Sequence, residues 1–159
     1  MLKKCLANDI CPLARGYNAI GDWWSLVIVS RMLVQGLKRF GEIQENLGLA
    51  RNILTARLKK LVEEEIVEKV PASDGSAYQE YVLTARGRGL YKVVLALREW
   101  GDENFPATKQ APCYDLVDKH RGEPIPPIEV RSADGRVLGP EDLRVATAEP
   151  NGRNRRRRR

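Results

Sequence analysis

The stretch RNILTARLKKLVEEEI, residues 51–66, constrains the fold most, because its leucines recur at helical spacing. Leu54, Leu58 and Leu61 fall on one face of a helix, and that face requires a core to cover it. The first half of the opposite face is polar and basic, with Arg51, Asn52, Thr55 and Lys59. A helix N-terminus carries free N–H groups and a positive dipole, so this half is suited to meet a negatively charged partner.

Capping residues and apolar spacing predict the surrounding elements. The predicted helices are 11–21, 22–36, 38–48, 51–63 and 85–105, and the predicted strands are 66–72 and 78–84. Asp22 and Thr84 are expected N-caps, and Pro106 is expected to end the last helix. The second helix is apolar on nearly every face, which predicts that it is buried. The fold class is α+β and mostly α.

The order helix, short link, basic helix and hairpin is that of a winged helix-turn-helix. The helix at 51–63 is then the recognition helix in the major groove, and the hairpin at about 67–84 is a wing on the adjacent backbone or minor groove. Arginine reads guanine and asparagine reads adenine by paired hydrogen bonds. A solvated helix face of mixed charge is the alternative for residues 51–63 taken alone, and the hairpin favours the DNA-binding interpretation.

Three segments together resemble the HxlR-type winged helix-turn-helix regulators, which are related to MarR. They are CPLARGYNAIGDWWSLVIVSRML, KRFGEIQENLGLARNILTARLKKLVEEEIVEK and DGSAYQEYVLTARGRGL. The resemblance implies a homodimer, built by the first and last helices, that binds an inverted repeat. It implies dimer contacts at Leu13, Tyr17, Leu97 and Trp100. The full set of expected DNA contacts is Lys38, Arg39, Arg51, Asn52, Thr55, Lys59, Ser73 and Ser76. One departure is Asp22-Trp23, where many members have a glycine and a basic residue.

The net charge of +6 agrees with a polyanionic partner, although it is unevenly distributed. The six arginines of residues 151–159 account for all of it, since the other 21 basic residues equal the 21 acidic ones in number. Residues 1–92 carry 14 basic and 10 acidic residues, whereas residues 93–150 carry 7 and 11. Residues 1–92 and the tail at 151–159 are therefore the parts expected to contact DNA.

Three segments are expected along the chain. Residues 1–105 form the DNA-binding and dimerisation domain, and residues 106–144 form a Pro-rich acidic extension with a hairpin turning at Asp134-Gly135. Residues 145–159 are expected to be a disordered Arg-rich tail. That tail either is solvated without function or raises affinity for DNA of any sequence.

The three cysteines form no disulfide framework, and the chain shows neither a secretory signal nor an apolar run of membrane-spanning length. We therefore expect a cytoplasmic protein. Cys11 precedes Pro12 at a helix start, where a thiol is more readily ionised. It is a candidate redox-sensing residue with Cys5 as a resolving partner, and a buried dimer contact is the alternative.

No enzyme chemistry, metal site or cofactor is predicted. Cys113 and His120 are only two ligands, and no CxxC motif supports them. The GRG at 87–89 lacks the third glycine of a dinucleotide loop. Trp23, Trp24 and Trp100 are expected in the core or the dimer contact. The sequence thus predicts a DNA-binding transcriptional regulator that responds to a small-molecule effector or an oxidant. The alternative is a protein-interaction adaptor that keeps the winged-helix fold without DNA binding.

Overall fold

The computed structural model describes residues 7, 9–105 and 115–146. The chain divides into two units, Met1–Pro106 and Ala107–Arg159, and each is described here by itself. The helices of the first unit are α1 (Pro12–Ile20), α2 (Trp23–Gln35), α3 (Phe40–Leu47), α4 (Arg51–Glu63), α5 (Ala85–Arg88) and α6 (Tyr91–Asn104). Its strands are β1 (Val67–Pro71) and β2 (Gln79–Leu83). The predicted winged helix-turn-helix fold is confirmed.

Capping groups explain where the helices begin and end. The Asp22 carboxylate accepts the Ser25 N–H at 2.9 Å and starts α2. Gly36 and Gly48 end α2 and α3 in the left-handed region, at φ +68° and +61°, where glycine carries no steric penalty. Thr84 Oγ1 accepts the Gly87 N–H at 3.0 Å, as predicted for an N-cap.

The core lies where α2, α3 and α4 converge with the base of the hairpin. The largest fully buried apolar side chains are Ile28, Val29, Ile43, Leu54, Leu58, Leu61, Ile66 and Val67. The three leucines of α4 are all among them, so the predicted inward face is confirmed. The prediction that α2 is buried all round is wrong in its first turn. Trp23 is 73% exposed there, because it borders a surface groove instead of the core.

The hairpin is a two-stranded antiparallel sheet with Val67 opposite Leu83 and Pro71 opposite Gln79. Its tip turns at Gly75, whose φ of +74° suits a residue without a side chain. At its base, the Thr84 N–H donates to the Ile66 carbonyl at 3.1 Å. The predicted wing is therefore present directly after α4.

Two predicted helix boundaries are wrong. The helix expected at 85–105 is divided at Gly89 and Leu90, because the Leu90 N–H donates to the Gly87 carbonyl three residues back instead of continuing the α-helical pattern. The helix expected at 38–48 begins at Phe40. Its two preceding residues are held outside by Glu42, which accepts their N–H groups. The predicted stop at Pro106 lies outside the described residues.

The described part of the second unit, residues 115–146, consists mainly of turns with little buried surface. The Asp118 carboxylate accepts the N–H groups of His120 and Arg121 at 2.7 and 2.9 Å. The expected hairpin at Asp134-Gly135 is reduced to one antiparallel bridge between Arg131 and Val137, followed by a 3₁₀ turn at Pro140–Asp142. Of the predicted tail, residues 147–159 lie outside the described part of the chain. Within the described part, no helix is long and apolar enough to cross a membrane.

Candidate nucleic-acid interface

The N-terminal half of α4 presents a continuous polar face to solvent. Arg51, Asn52, Thr55 and Lys59 are all exposed, and so is Ala56 between them. Ala56 has a short apolar side chain, so it leaves room for a partner to approach the helix backbone closely. Ala56 is not among the contacts predicted from the sequence, and its exposure makes it a further candidate contact.

Two side chains of this face are oriented by neighbours. The guanidinium carbon of Arg51 lies 5.5 Å from the centre of the Phe40 ring, a cation–π contact that joins the starts of α4 and α3. The Thr55 hydroxyl donates to the Arg51 carbonyl at 2.8 Å, so its proton is used within the helix while the side chain stays exposed. Both side chains are thus held in place in the absence of a partner.

The other two basic residues of α4 point towards α2 and pair with its N-cap. Arg57 Nε lies 3.2 Å from Asp22 Oδ1, and Lys60 Nζ lies 4.0 Å from Asp22 Oδ2. Ser25 Oγ also donates to Asp22, at 2.6 Å. Asp22 therefore fixes α4 against α2 and neutralises the cations that do not belong to the exposed face. Sequence reasoning missed this role, because the pairing joins residues 35 and more positions apart.

The acidic end of α4 is also paired. Lys59 and Glu63 form an i, i+4 pair at 3.8 Å. Arg86 of α5 lies 3.9 Å from the carboxylates of both Glu64 and Glu65. These contacts offset the negative charge that follows the recognition half of the helix.

Lys38 and Arg39, which precede α3, meet acidic residues of the wing. The Arg39 guanidinium hydrogen bonds to the Asp74 carboxylate, and its Nε lies 3.7 Å from Glu80 Oε1. Lys38 Nζ lies 4.0 Å from Glu80 Oε2. Ser73 Oγ donates to Glu80 Oε1 at 3.0 Å. Both predicted basic contacts are therefore engaged within the protein.

Two acids of this region, Asp74 and Glu42, have lowered pKa values. Ser76, through its side chain and N–H, and the Arg39 guanidinium hold the pKa of Asp74 well below its usual range. Asp74 in turn raises the pKa of Arg39. Hydrogen bonds from the N–H groups of Arg39 and Lys38 lower the pKa of Glu42. The Asp74 carboxylate at the wing tip is therefore ionised at neutral pH.

A second surface feature is an apolar groove between α1 and α6, with a volume of about 730 Å³. Leu13, Tyr17 and Leu97 line it, and Trp100 lies farther along the same side of α6. These four predicted dimer contacts are between 50% and 67% exposed in the isolated chain. Such an apolar surface on a protein of this size indicates a partner.

Comparison with known proteins supplies the family. Residues 19–109 match the model of the HxlR-like helix-turn-helix family, which is more than half of the chain. The chain belongs to the HxlR-like helix-turn-helix family. The resemblance predicted from the sequence is confirmed, and the family is one of transcriptional regulators, not enzymes.

Three relatives illustrate the match. The uncharacterized HTH-type transcriptional regulator Rv3095 of Mycobacterium tuberculosis is 37% identical over 100 residues, 63% of each protein. The chain thus spans less than two thirds of the length of this curated relative. A crystal structure of PA1607, described as a transcription factor, is 45% identical with a TM-score of 0.81, over 89% of this chain and 98% of that one. The oxidised redox regulator HypR is 30% identical with a TM-score of 0.54, over 61% and 100%.

The remaining candidate residues of this HxlR-family chain are separate from α4. Cys11 is exposed at the N-cap of α1, and its N–H donates to the Asp9 carboxylate at 2.8 Å. Cys5 and Cys113 lie outside the described residues, so the structure describes neither the Cys5–Cys11 pair nor the Cys113–His120 pair. His120 is exposed, and no group of three or more metal-ligating side chains occurs in the part of the chain that the structure describes.

Proposed function

We propose that this chain is a cytoplasmic, homodimeric transcriptional regulator that binds an inverted repeat in duplex DNA. In each protomer, α4 enters the major groove and the wing contacts the neighbouring backbone or minor groove. The observation that carries the proposal is the exposed polar face in the first half of α4, which begins at the positive end of the helix dipole. The membership of the HxlR family agrees with it.

The chemistry of this face suits base recognition. Arg51 can donate two hydrogen bonds to guanine, and Asn52 can donate to and accept from adenine. The methyl groups of Thr55 and Ala56 suit contact with the thymine methyl group, while Lys59 suits a base acceptor or a phosphate. Because Arg57 and Lys60 are paired with Asp22, base contacts are assigned to the exposed residues alone.

The wing supplies contacts outside the major groove. Ser73 and Ser76 flank the Gly75 turn, but in the free chain the Ser73 hydroxyl donates to Glu80 and the Ser76 Oγ is buried, so each side chain would have to leave its present position to donate to a phosphate oxygen. Tyr78, which is 73% exposed at the start of the return strand, is a further candidate for contact with the sugar-phosphate backbone. It is not among the DNA contacts predicted from the sequence.

The groove between α1 and α6 supports the proposed homodimer. A second copy would cover Leu13 and Tyr17 of α1 together with Leu97 and Trp100 of α6. A two-fold dimer presents two recognition helices related by the same symmetry, so its site is an inverted repeat. This dimer agrees with the family, although its mode of association is our proposal.

A redox input is the second part of the proposal. Cys11 is exposed on α1, next to the surface that we assign to the dimer. HypR, which this chain resembles, is a redox regulator crystallised in its oxidised form. Oxidation of Cys11 would add a polar or bulky group beside the dimer contact and alter DNA binding. Wild type and Cys11→Ser should then differ in their response to an oxidant, and equal responses would remove Cys11 from the mechanism.

Selection of bound duplexes from a random pool tests the function. The proposal predicts enrichment of an inverted repeat with two half-sites about one helical turn apart. Enrichment without symmetry would contradict the dimer. A failure of the pure protein to enrich any sequence would instead favour the protein-interaction adaptor.

A further inference from the structure

The segment before α3 and the wing are joined by a group of four charged residues. Arg39 contacts Asp74 at the wing tip and Glu80 on β2, and Lys38 reaches the other oxygen of Glu80. These contacts connect positions 35 to 42 residues apart in the sequence. They link the helix-turn-helix to the distal half of the wing.

The acid at the centre of this group is buried. Glu80 is only 5% exposed, and its Oε1 accepts the Ser73 hydroxyl at 3.0 Å. A buried carboxylate without cationic partners is strongly unfavourable, so Arg39 and Lys38 balance its charge. Both cations therefore have carboxylate partners within the protein in the absence of DNA.

The main chain reinforces the same junction. The Tyr81 N–H donates to the Lys38 carbonyl at 2.8 Å, so the segment before α3 hydrogen bonds to the outer edge of β2. The Glu42 carboxylate accepts the N–H groups of Lys38 and Arg39 at 3.1 and 3.0 Å. Both sides of the segment are therefore held, one by the wing and one by the first turn of α3.

We propose that Arg39 is a positioning residue, which fixes the wing tip relative to α3 and α4 through Asp74 and Glu80 instead of contacting DNA. The inference rests on the proposed DNA binding and revises the sequence-based assignment of Arg39 to the DNA contacts. A guanidinium can hold two carboxylates at once in a planar arrangement, whereas an ammonium group cannot reproduce that geometry.

The negative charge of Asp74 allows an experiment to distinguish a wing-positioning role from no role in binding. A carboxylate on a wing that approaches DNA repels phosphates, so its removal should strengthen binding if it has no other role. If Asp74 holds the wing in place through Arg39, its removal should weaken specific binding instead. The two accounts therefore predict opposite changes in DNA affinity for the same substitution.

Asp74→Asn is the primary variant, because asparagine keeps an oxygen that can accept the Ser76 N–H, now 3.0 Å from Asp74 Oδ1. The control is Glu68→Gln, which removes an exposed acid of β1 opposite Val82 on the same hairpin. Fluorescence anisotropy would measure binding to the selected duplex and to a scrambled one. We expect Asp74→Asn to weaken specific binding about two- to fivefold, in the range of an exposed ion pair, and Glu68→Gln to leave it equal or tighter.

Arg39→Lys separates positioning from phosphate contact. The lysine keeps the positive charge, so a residue that only contacts a phosphate should retain most of its affinity and the same salt dependence. A positioning residue should lose specific affinity as Asp74→Asn does, and the double variant should lose little more than either single variant. Tighter binding by Asp74→Asn, or full binding by Arg39→Lys, would overturn the proposal.

Hydrogen exchange of the free protein provides a readout that does not depend on DNA. In Asp74→Asn and Arg39→Lys, amides of the wing tip should exchange faster while those of α2 and α4 keep their wild-type rates. Unchanged exchange at the wing tip would contradict the anchoring role. If the wild-type protein binds no DNA at all, the proposed function fails, and the exchange measurement still reports on the anchor.

Discussion

Some residues of the candidate site can be predicted from sequence patterns, and others cannot. The exposed positions of α4 follow from the spacing of its leucines, because a helix with one buried face has a calculable opposite face. The pairing of Asp22 with Arg57 does not follow, since it depends on how α2 crosses α4. The same limit applies to Arg39, which the sequence presents only as a cation beside a helix start.

Asn52 and Thr55 carry the most direct prediction at this scale. Asn52→Ala and Thr55→Ala should each weaken binding to the selected sequence by about 1–3 kcal/mol, the usual value of a good base contact. Binding to unrelated duplexes should change little, because phosphate contacts are untouched. Asn104→Ala, an exposed asparagine at the end of α6, is the control. If both α4 variants protect DNA in the same way as the wild-type protein, α4 is not the helix that recognises the base sequence.

Gly87 is predicted to be essential for stability. A Cβ atom at this position would lie 2.1 Å from the Ile66 carbonyl oxygen, where α5 packs against the base of the hairpin. Gly87→Ala should destabilise the fold by about 1–3 kcal/mol, as overpacking does. Gly101→Ala in α6 has open space and should stabilise by about 0.5–1 kcal/mol. Thermal unfolding of both variants checks this, and equal melting temperatures would refute the packing account.

At the scale of elements, α1 to α4 and the wing are predictable because periodicity, caps and turn residues all agree there. The division between α5 and α6 is not, because the apolar spacing continues across residues 85–105. At the break, the Leu90 N–H donates to the Gly87 carbonyl, and Gly87 itself lies close to the Ile66 carbonyl at the base of the hairpin. Apolar spacing alone does not reveal this close approach.

Leu97 tests the dimerisation element. Leu97→Asp places a charge in the apolar groove, so the variant should sediment as a monomer and lose binding to the inverted repeat. Lys92→Asp adds the same side chain on the opposite side of α6 and should remain dimeric. An unchanged dimer in the Leu97 variant would show that α6 does not form the interface.

The whole molecule combines a nearly neutral body with a concentrated basic tail. Charge counting identifies this arrangement from the sequence, although residues 147–159 lie outside the described structure. Composition also sets residues 106–144 apart, and the Asp134-Gly135 pair predicts one of the turns in this segment, but no sequence pattern predicts the turn at Asp118. That turn depends on a carboxylate that accepts the N–H groups of His120 and Arg121, and no hydrophobic period marks it.

The arginine tail is predicted to add electrostatic affinity for DNA of any sequence. Each phosphate contact contributes about −0.9 to the slope of log affinity against log salt, so deleting residues 151–159 should flatten that slope by a few units per dimer. Affinity for all sequences should fall alike, and the specificity ratio should hardly move. An unchanged slope would show that the tail does not contact phosphates. A loss of sequence preference would show that the tail contributes to sequence recognition.

The central claim is that two α4 helices read two half-sites on one face of the duplex. The most direct measurement compares binding to the selected inverted repeat with binding to versions that carry 5 or 10 additional base pairs between the half-sites. Five base pairs turn one half-site to the opposite face, so affinity should fall by about two orders of magnitude or more, as expected when half of the base contacts are lost. Ten additional base pairs return both half-sites to the same face of the duplex. The half-sites are then farther apart than the two α4 helices of the dimer, so binding should also be weak. Equal affinity for all three duplexes would contradict a rigid dimer that reads both half-sites together.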